Sequence, residues 1–174
     1  MAAIIGLEEV IIEEISRQTG TYISNINTDQ QVVISGNIVA VAQALDMASA
    51  RGARRAMPLK VNGAFHSALM EPARGGLNIA VNSANLEMPN IPIVANITAK
   101  PITTVKQLKK ELVSQICECV QWKRSIEYML SLGITSFIEI GPGNALQGML
   151  KRIDKSVEGM SISNFNSIQG LTLK

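Results

Sequence analysis

Tyr22-Ile23-Ser24-Asn25-Ile26-Asn27-Thr28-Asp29-Gln30-Gln31-Val32-Val33-Ile34-Ser35-Gly36 holds two β-prone runs, Tyr22 to Asn27 and Gln31 to Ser35. Between them Thr28-Asp29-Gln30 has the length and polarity of a hairpin turn. Working outward on the N-terminal side, Leu7, Val10, Ile11 and Ile15 recur at helical spacing. Glu8 and Glu9 stand in the first turn, where the helix dipole favours acids, and Gly20 closes the helix. Before it, Met1 to Ile5 is a short apolar strand ended by Gly6. On the other side Gly36-Asn37 opens a second helix, with Asn37 as N-cap and Ile38, Val41, Ala42 and Leu45 on one face. Gly52 stops it, and Ala56 to Val61 supplies a further strand. The order β-α-β-β-α-β over residues 1–61 is the split βαβ, or ferredoxin-like, arrangement.

From Asn62 the rhythm changes to longer helices and short buried strands, which sets residues 62–174 apart as a second region. Helical periodicity runs through Leu69, Ala73, Leu77, Ala80, Val81 and Ala84, across Gly75-Gly76, a pair costing roughly 1 kcal/mol each against Ala. Ile91 to Ile97 reads as a strand. Helices follow through Val105, Leu108, Leu112 and Ile116, and through Ile126, Met129 and Leu130. Ser136 to Ile140 is the next strand, turned by Gly141-Pro142-Gly143 into a last helix through Leu146, Met149, Leu150 and Ile153. This alternation indicates parallel α/β packing. Two core strands are too few for a parallel sheet, which needs neighbours on its edges and cover on both faces. Either the sheet is tiny, or other strands come from elsewhere.

The chain has 174 residues, 47% hydrophobic and 17% charged, which excludes intrinsic disorder. No apolar run approaches the ~18 residues of a membrane-spanning helix, and Met1-Ala2-Ala3-Ile4-Ile5-Gly6 lacks the basic flank of a secretory signal, so the expected location is the cytoplasm. Residues 1–50 carry one Arg against six acids, and residues 51–174 carry fifteen Lys and Arg against eight acids. Aromatics are 3% and the cations are dispersed, which argues against nucleic acid; the basic second region suits either an acidic partner or a solvated face. One His and two Cys, Cys117 and Cys119 in a helical pattern that makes their side chains diverge, are too few for a zinc site.

His66 falls in Asn62-Gly63-Ala64-Phe65-His66-Ser67, at the junction of the two regions, where pockets form. An imidazole can take and return a proton near neutral pH, so His66 is either a general base or a structural histidine satisfied by hydrogen bonds. Ser67 adjoins it but lacks the Gly-x-Ser-x-Gly elbow of a nucleophile, and reads as the N-cap of the helix that follows. Gly141-Pro142-Gly143 lacks the spacing of a nucleotide loop and reads as a structural turn. Asn96-Ile97-Thr98 is formally a glycosylation sequon, relevant only to a secreted chain.

Four stretches together resemble the malonyl-CoA:acyl carrier protein transacylase family of fatty-acid synthesis. They are Gly63-Ala64-Phe65-His66-Ser67-Ala68-Leu69-Met70-Glu71-Pro72-Ala73, Ile93-Val94-Ala95-Asn96-Ile97-Thr98-Ala99-Lys100-Pro101, Val120-Gln121-Trp122 and Phe137-Ile138-Glu139-Ile140-Gly141-Pro142-Gly143. The hairpin quoted first resembles the family's small lobe, and the likeness covers nearly the whole chain, thinning after Ile153. The resemblance implies a ferredoxin-like lobe, residues 1–61, followed by the C-terminal part of a parallel α/β, hydrolase-like acyltransferase core, residues 62–174. It implies that a serine is acylated by malonyl-CoA and then attacked by the phosphopantetheine thiol of acyl carrier protein. His66 would be the general base and acid, Gln115 would orient it through its backbone carbonyl, and no cofactor or metal is expected. Phe65 looks like the malonyl-selective form of its motif, where serine accompanies the bulkier methylmalonyl group; filling the pocket near the acyl Cα would explain this. Asn25 and Asn27 match asparagines lining the cleft side of the small lobe.

The 174 residues contain no Gly-His-Ser-Leu-Gly segment, no matching arginine for the malonyl carboxylate and no Gly-Gln-Gly loop. Cys119 stands where the family has proline, and Gly75-Gly76 replaces better helix formers. All the missing motifs belong to the family's N-terminal portion, so the resemblance implies that this chain starts after it, and that the absent portion supplies most of the sheet. Two functions follow as expectations: a transacylase part that contributes the base and meets a complementary N-terminal half or self-associates, or a catalytically inactive remnant or binding module for the acidic carrier protein.

Overall fold

The computed structural model describes residues 1–165, which divide into two compact units, Met1–Ser125 and the residues from Ile126 on. In the first, β1 (Ala2–Ile5), α1 (Glu9–Thr19), β2 (Tyr22–Thr28), β3 (Gln31–Ser35), α2 (Ile38–Ala50) and β4 (Arg55–Pro58) follow in order. The four strands form one sheet in the order β2-β3-β1-β4, every neighbouring pair antiparallel. The central register sets Ala2 opposite Ile34 and Ile4 opposite Val32. These four side chains are fully buried, with Ile12 and Ile15 of α1 and Val41, Ala44 and Ala48 of α2 packed on them. Burying each large aliphatic side chain contributes roughly 1.5–3 kcal/mol. Arg51 donates to both carboxylate oxygens of Glu14, at 2.9 and 3.2 Å, and so joins the end of α2 to α1.

The helix faces differ from those expected. Val10 and Ile38 are exposed, and the inward stripes are Ile12–Ile15 and Val41–Ala44–Ala48. The cause on α1 is a surplus of apolar residues, Val10-Ile11-Ile12, of which the sheet takes the one in phase with Ile15. Asn37 caps α2 as expected, its Oδ1 accepting from the Val39 N–H at 2.9 Å. Strand β4 ends at Pro58, whose missing N–H cannot continue a ladder, and Leu59 then donates to the Met1 carbonyl at 3.0 Å.

A 3-10 turn, Ala68–Met70, leads into α3 (Glu71–Ser83), and α4 spans Val105–Ser114. Helix α3 continues through Gly75 and Gly76, with Pro72 in its first turn, where no N–H is needed. The strand expected over Ile91–Ile97 is absent. Its place is taken by one antiparallel bridge, Val94 to Pro101, around the turn 95–99, with Ile91 and Ile93 exposed. Pro92 and Pro101 remove donors, and among the described residues no neighbouring strand lies alongside. Cys117 and Cys119 lie beyond the end of α4 in a turn rather than in a helix, and both are free thiols.

Helix α5 (Trp122–Ser131) enters the second unit, which holds β5 (Ser136–Ile140), α6 (Ala145–Ile153) and β6 (Glu158–Ile162). The sequence reading missed β6, which pairs parallel with β5 from Ser136 opposite Glu158 to Ile140 opposite Ile162. The Glu139 carboxylate of β5 accepts from the Leu146 and Gln147 N–H groups at 3.1 and 2.9 Å, which satisfies the amides at the start of α6. Gly141 and Gly143 adopt φ of 146° and 92°, backbone that favours glycine. No helix among the described residues is long and apolar enough to cross a membrane.

Candidate active site

Strand β2 is an edge strand with two bulges: Ser24, between Ile23 and Asn25, and Asn27, between Ile26 and Thr28, have no partner on β3. Bulges re-aim side chains and recur beside functional sites. Ser24 is fully buried, and its Oγ donates to the Phe65 carbonyl at 3.2 Å. On the outer edge of β2 the Val120 N–H donates to the Ser24 carbonyl at 2.8 Å and the Ile26 N–H to the Val120 carbonyl at 2.9 Å. The turn after α4 is thereby fastened to the first lobe. Residues 62–125 cluster with the first sixty in one compact unit, so no division falls at 61/62.

That turn holds His66. The last carbonyls of a helix lack partners within it. Here the Gln115 carbonyl takes the imidazole Nδ1 at 2.6 Å, and the Ile116 carbonyl takes the His66 backbone N–H at 2.8 Å. A carbonyl only accepts, so Nδ1 carries a proton, and in the neutral ring the lone pair is on Nε2. His66 has φ of 58°, left-handed backbone rare for a residue with a side chain and of the kind that collects at functional sites. Its ring is half-buried, with Ser67 behind it at 0% exposure. Ser67 does not cap the following helix: its Oγ donates to the Ala64 carbonyl at 2.5 Å and tightens the turn instead.

Phe65 is 41% exposed, and its ring lies over Gly63, where a Cβ would come within 2.8 Å of Cε2. Gly63 is therefore the seat of the Phe65 ring. Gln115 contributes its carbonyl to His66 and its side-chain Oε1 to Asn96, whose Nδ2 donates at 3.1 Å. Asn25 is half-buried on the edge bridged to Val120, and Asn27 is buried at the second bulge; neither side chain hydrogen-bonds to His66. The structure thus joins His66 to Gln115 by a hydrogen bond, ties the Phe65 carbonyl to Ser24, and gives neither asparagine a bond to His66. Ser24, Asn96 and Glu111, whose Oε1 accepts the Ile97 N–H at 3.0 Å, were not singled out from the sequence. Asn96 and Ser24 each lay in a stretch that resembles the family, without a role of their own there.

Burial is the main cause that pushes the Cys119 thiol up to about 11, with the Glu9 carboxylate adding to it. Burial also raises the Cys117 thiol, helped by its contact with Glu71, 3.5 Å away. Neither is an activated nucleophile. Among the described residues no three His, Cys, Asp or Glu side chains gather in a way that could hold a metal ion.

The site thus holds a left-handed histidine whose Nδ1 is held by a carbonyl. Residues 1–166 match the acyl transferase domain family, and the chain belongs to that family. The malonyl CoA-acyl carrier protein transacylase of Bacillus subtilis strain 168 is 32% identical over 174 residues, 97% of this chain and 55% of that protein. Among solved structures, an acyl carrier protein S-malonyltransferase from Vibrio cholerae is 33% identical with a TM-score of 0.94, covering 98% of this chain and 57% of the other. The corresponding enzyme from Bartonella henselae is 35% identical with a TM-score of 0.92, covering 97% and 55%. A malonyl-transacylase in complex with a type II polyketide acyl-carrier protein is 32% identical with a TM-score of 0.92, covering 97% and 56%. The mixed α/β fold is the one these structures share, and the chain spans about half the length of the curated relatives it matches.

Proposed function

We propose that this chain is the general-base part of a cytoplasmic malonyl transferase of fatty-acid synthesis, moving malonyl from coenzyme A to the phosphopantetheine thiol of acyl carrier protein. Residues 1–61 are read as its ferredoxin-like lobe and 62–174 as the C-terminal part of a hydrolase-like core. The observation that carries the reading is the 2.6 Å contact of His66 Nδ1 with the Gln115 carbonyl, which leaves Nε2 as proton acceptor. The serine comes from the family's N-terminal portion, on polypeptide outside these 174 residues. Nε2 takes the serine proton as Oγ bonds to the malonyl carbonyl; the tetrahedral adduct then breaks its C–S bond, and the coenzyme A sulfur leaves with the proton from the imidazolium. The carrier thiol repeats the cycle: its proton goes to Nε2, its sulfur takes the acyl group, and serine recovers a proton from the ring. The negative end of the α4 dipole faces the ring that is positive between these steps. Phe65 narrows the pocket around the acyl Cα, and Asn25 and Asn27 line the cleft from β2.

The test mixes the chain with a polypeptide carrying the serine-bearing portion of a relative and follows malonyl transfer to holo carrier protein. Turnover is expected only in the mixture, falling roughly 10²- to 10⁴-fold with His66→Ala. Transfer by the chain alone, or a mixture indifferent to His66→Ala, overturns the reading.

A second reading, a non-catalytic module that binds acyl carrier protein, is favoured by one feature. A groove of about 550 Å³ between α3 and α4 is lined by Arg74, Lys106, Lys109 and Lys110 with Asn78 and Asn82, and by no carboxylate. Such a groove suits an acidic partner whose binding weakens with salt. Capture of carrier protein that is equally absent at low and high salt counts against it.

A further inference from the structure

We infer that Asn96 is a positioning residue for His66, acting through Gln115. This rests on the reading of His66 as the base and adds the part that holds its proton in place. The acceptor that fixes the tautomer is a backbone carbonyl one residue past α4, where the helix no longer dictates its direction. Three bonds hold residue 115: its N–H donates to the Glu111 carbonyl at 2.9 Å, its own carbonyl takes His66, and its Oε1 takes Asn96 Nδ2 at 3.1 Å. Asn96 is itself anchored. Its carbonyl accepts from the Gln121 N–H at 2.7 Å, the next N–H, of Ile97, donates to Glu111 Oε1 at 3.0 Å, and the turn is closed by Ala99 N–H to the Ala95 carbonyl at 3.0 Å. A loop braced on α4 at Glu111 and on the following segment at Gln121 therefore reaches back with one carboxamide to steady residue 115.

The arrangement separates positioning from folding. Truncating Asn96 to Ala leaves the backbone bonds at 95, 96 and 97 in place and removes only the hold on the Gln115 side chain. The loss falls on the order of Nδ1–H, not on the fold. The same link breaks from the other side in Gln115→Leu, which keeps the carbonyl.

His66 is the chain's one histidine, so its ring nitrogens give unambiguous ¹⁵N signals in the intact 174-residue protein. The wild type is expected to show a single tautomer, protonated at Nδ1, with slow exchange of that proton. Asn96→Ala should mix the tautomers and speed Nδ1–H exchange roughly three- to tenfold, the range one neutral hydrogen bond controls. Gln115→Leu should do the same, and the double variant should be no worse than either single one, because both remove one link. Ring signals unchanged by Asn96→Ala, or effects that add in the double variant, overturn the inference; if Asn96→Ala does not fold, unchanged signals in Gln115→Leu decide it. Malonyl transfer is a separate readout: an ordered tautomer sensitive to Asn96 without turnover in the reconstituted assay keeps this inference and sinks the proposed function.

Discussion

His66 at φ 58° is held in a conformation that costs on the order of 1 kcal/mol for a residue with a Cβ, and its backbone N–H and Nδ1 both end on the turn after α4. The neighbouring residues are held as tightly. A methyl at Gly63 would sit 2.8 Å from Phe65 Cε2 and 3.0 Å from Cζ, and a ring cannot bend away as an alkyl chain can, so Phe65 must turn out of its seat. Gly63→Ala is expected to leave the unfolding midpoint nearly unchanged, because the site is at the surface. Malonyl transfer in the reconstituted assay should fall by up to about 10²-fold, the scale of an ångström's misplacement in an active site. Cys119 offers a pH test with a definite sign. Its thiol is pushed from the ordinary 9.0 to about 11, chiefly by burial, so the folded chain keeps a proton that the unfolded chain has already lost between those values. The Cys119 contribution to stability is intact below about pH 9 and declines as pH rises toward about 11, at about 1.4 kcal/mol per pH unit before solvent screening is allowed for. Denaturant unfolding of wild type and Cys119→Ala across that range measures it, and the alanine chain should show a shallower decline. Alkylation of Cys119 at neutral pH should be slow until the chain unfolds.

At the scale of elements, the first lobe owes its α2 start to a single side chain. Asn37 Oδ1 accepts from Val39 N–H at 2.9 Å, and Asn37→Ala should lower stability by about 1 kcal/mol in urea unfolding without changing the transition's slope. Ile34→Ala, at a fully buried position opposite Ala2, should cost about 2–5 kcal/mol. This lobe was legible because each of its boundaries carries a local cause: Gly20 at φ 72° ends α1, Asn37 starts α2, and the polar Asp29-Gln30 turn joins β2 to β3. Its helix faces were less so, since Val10-Ile11-Ile12 and Ile38-Val39 offer more apolar residues than the sheet can cover, and only packing chooses among them. The elements misread, Ile91–Ile97 and β6, fail for a different reason. A strand is defined by its neighbour, and Glu158-Gly159-Met160-Ser161-Ile162 has little periodicity to announce one, whereas Ile91–Ile97 has the composition but no ladder to join. The site divides in the same way. His66 and Gln115 were readable through a motif, while Ser24 depends on a bulge that no spacing rule reveals.

For the molecule as a whole, the apolar surface left open follows from how few strands are present. Among the described residues β5 and β6 are a parallel pair with no third strand, and Ile138, Ile140 and Met160 are 44%, 82% and 43% exposed. Parallel sheets are stable when covered on both faces and lengthened at both edges, and a pair alone is marginal in water. The sequence reading reached the same shortage by counting strands, with the wrong second strand, because a lack of partners shows in composition whichever segments supply the sheet. Two outlets exist for such a surface: the serine-bearing portion that the proposed function requires, or another copy of this chain. In the absence of the first, the 174-residue chain should self-associate. Sedimentation velocity is expected to show the weight-average coefficient rising with protein concentration. Ile140→Lys, which sets a charge on the most exposed apolar residue of the pair, should shift that association about tenfold toward monomer, since burying one aliphatic side chain contributes about 1.5–3 kcal/mol and tenfold is 1.4 kcal/mol. Adding the serine-bearing polypeptide should suppress self-association in the wild type, because both occupants compete for one surface. A monomer at all concentrations, with amide protection on β5 and β6 equal to that of β1 and β3, would mean that the pair is stable uncovered and that nothing in this chain calls for the other half.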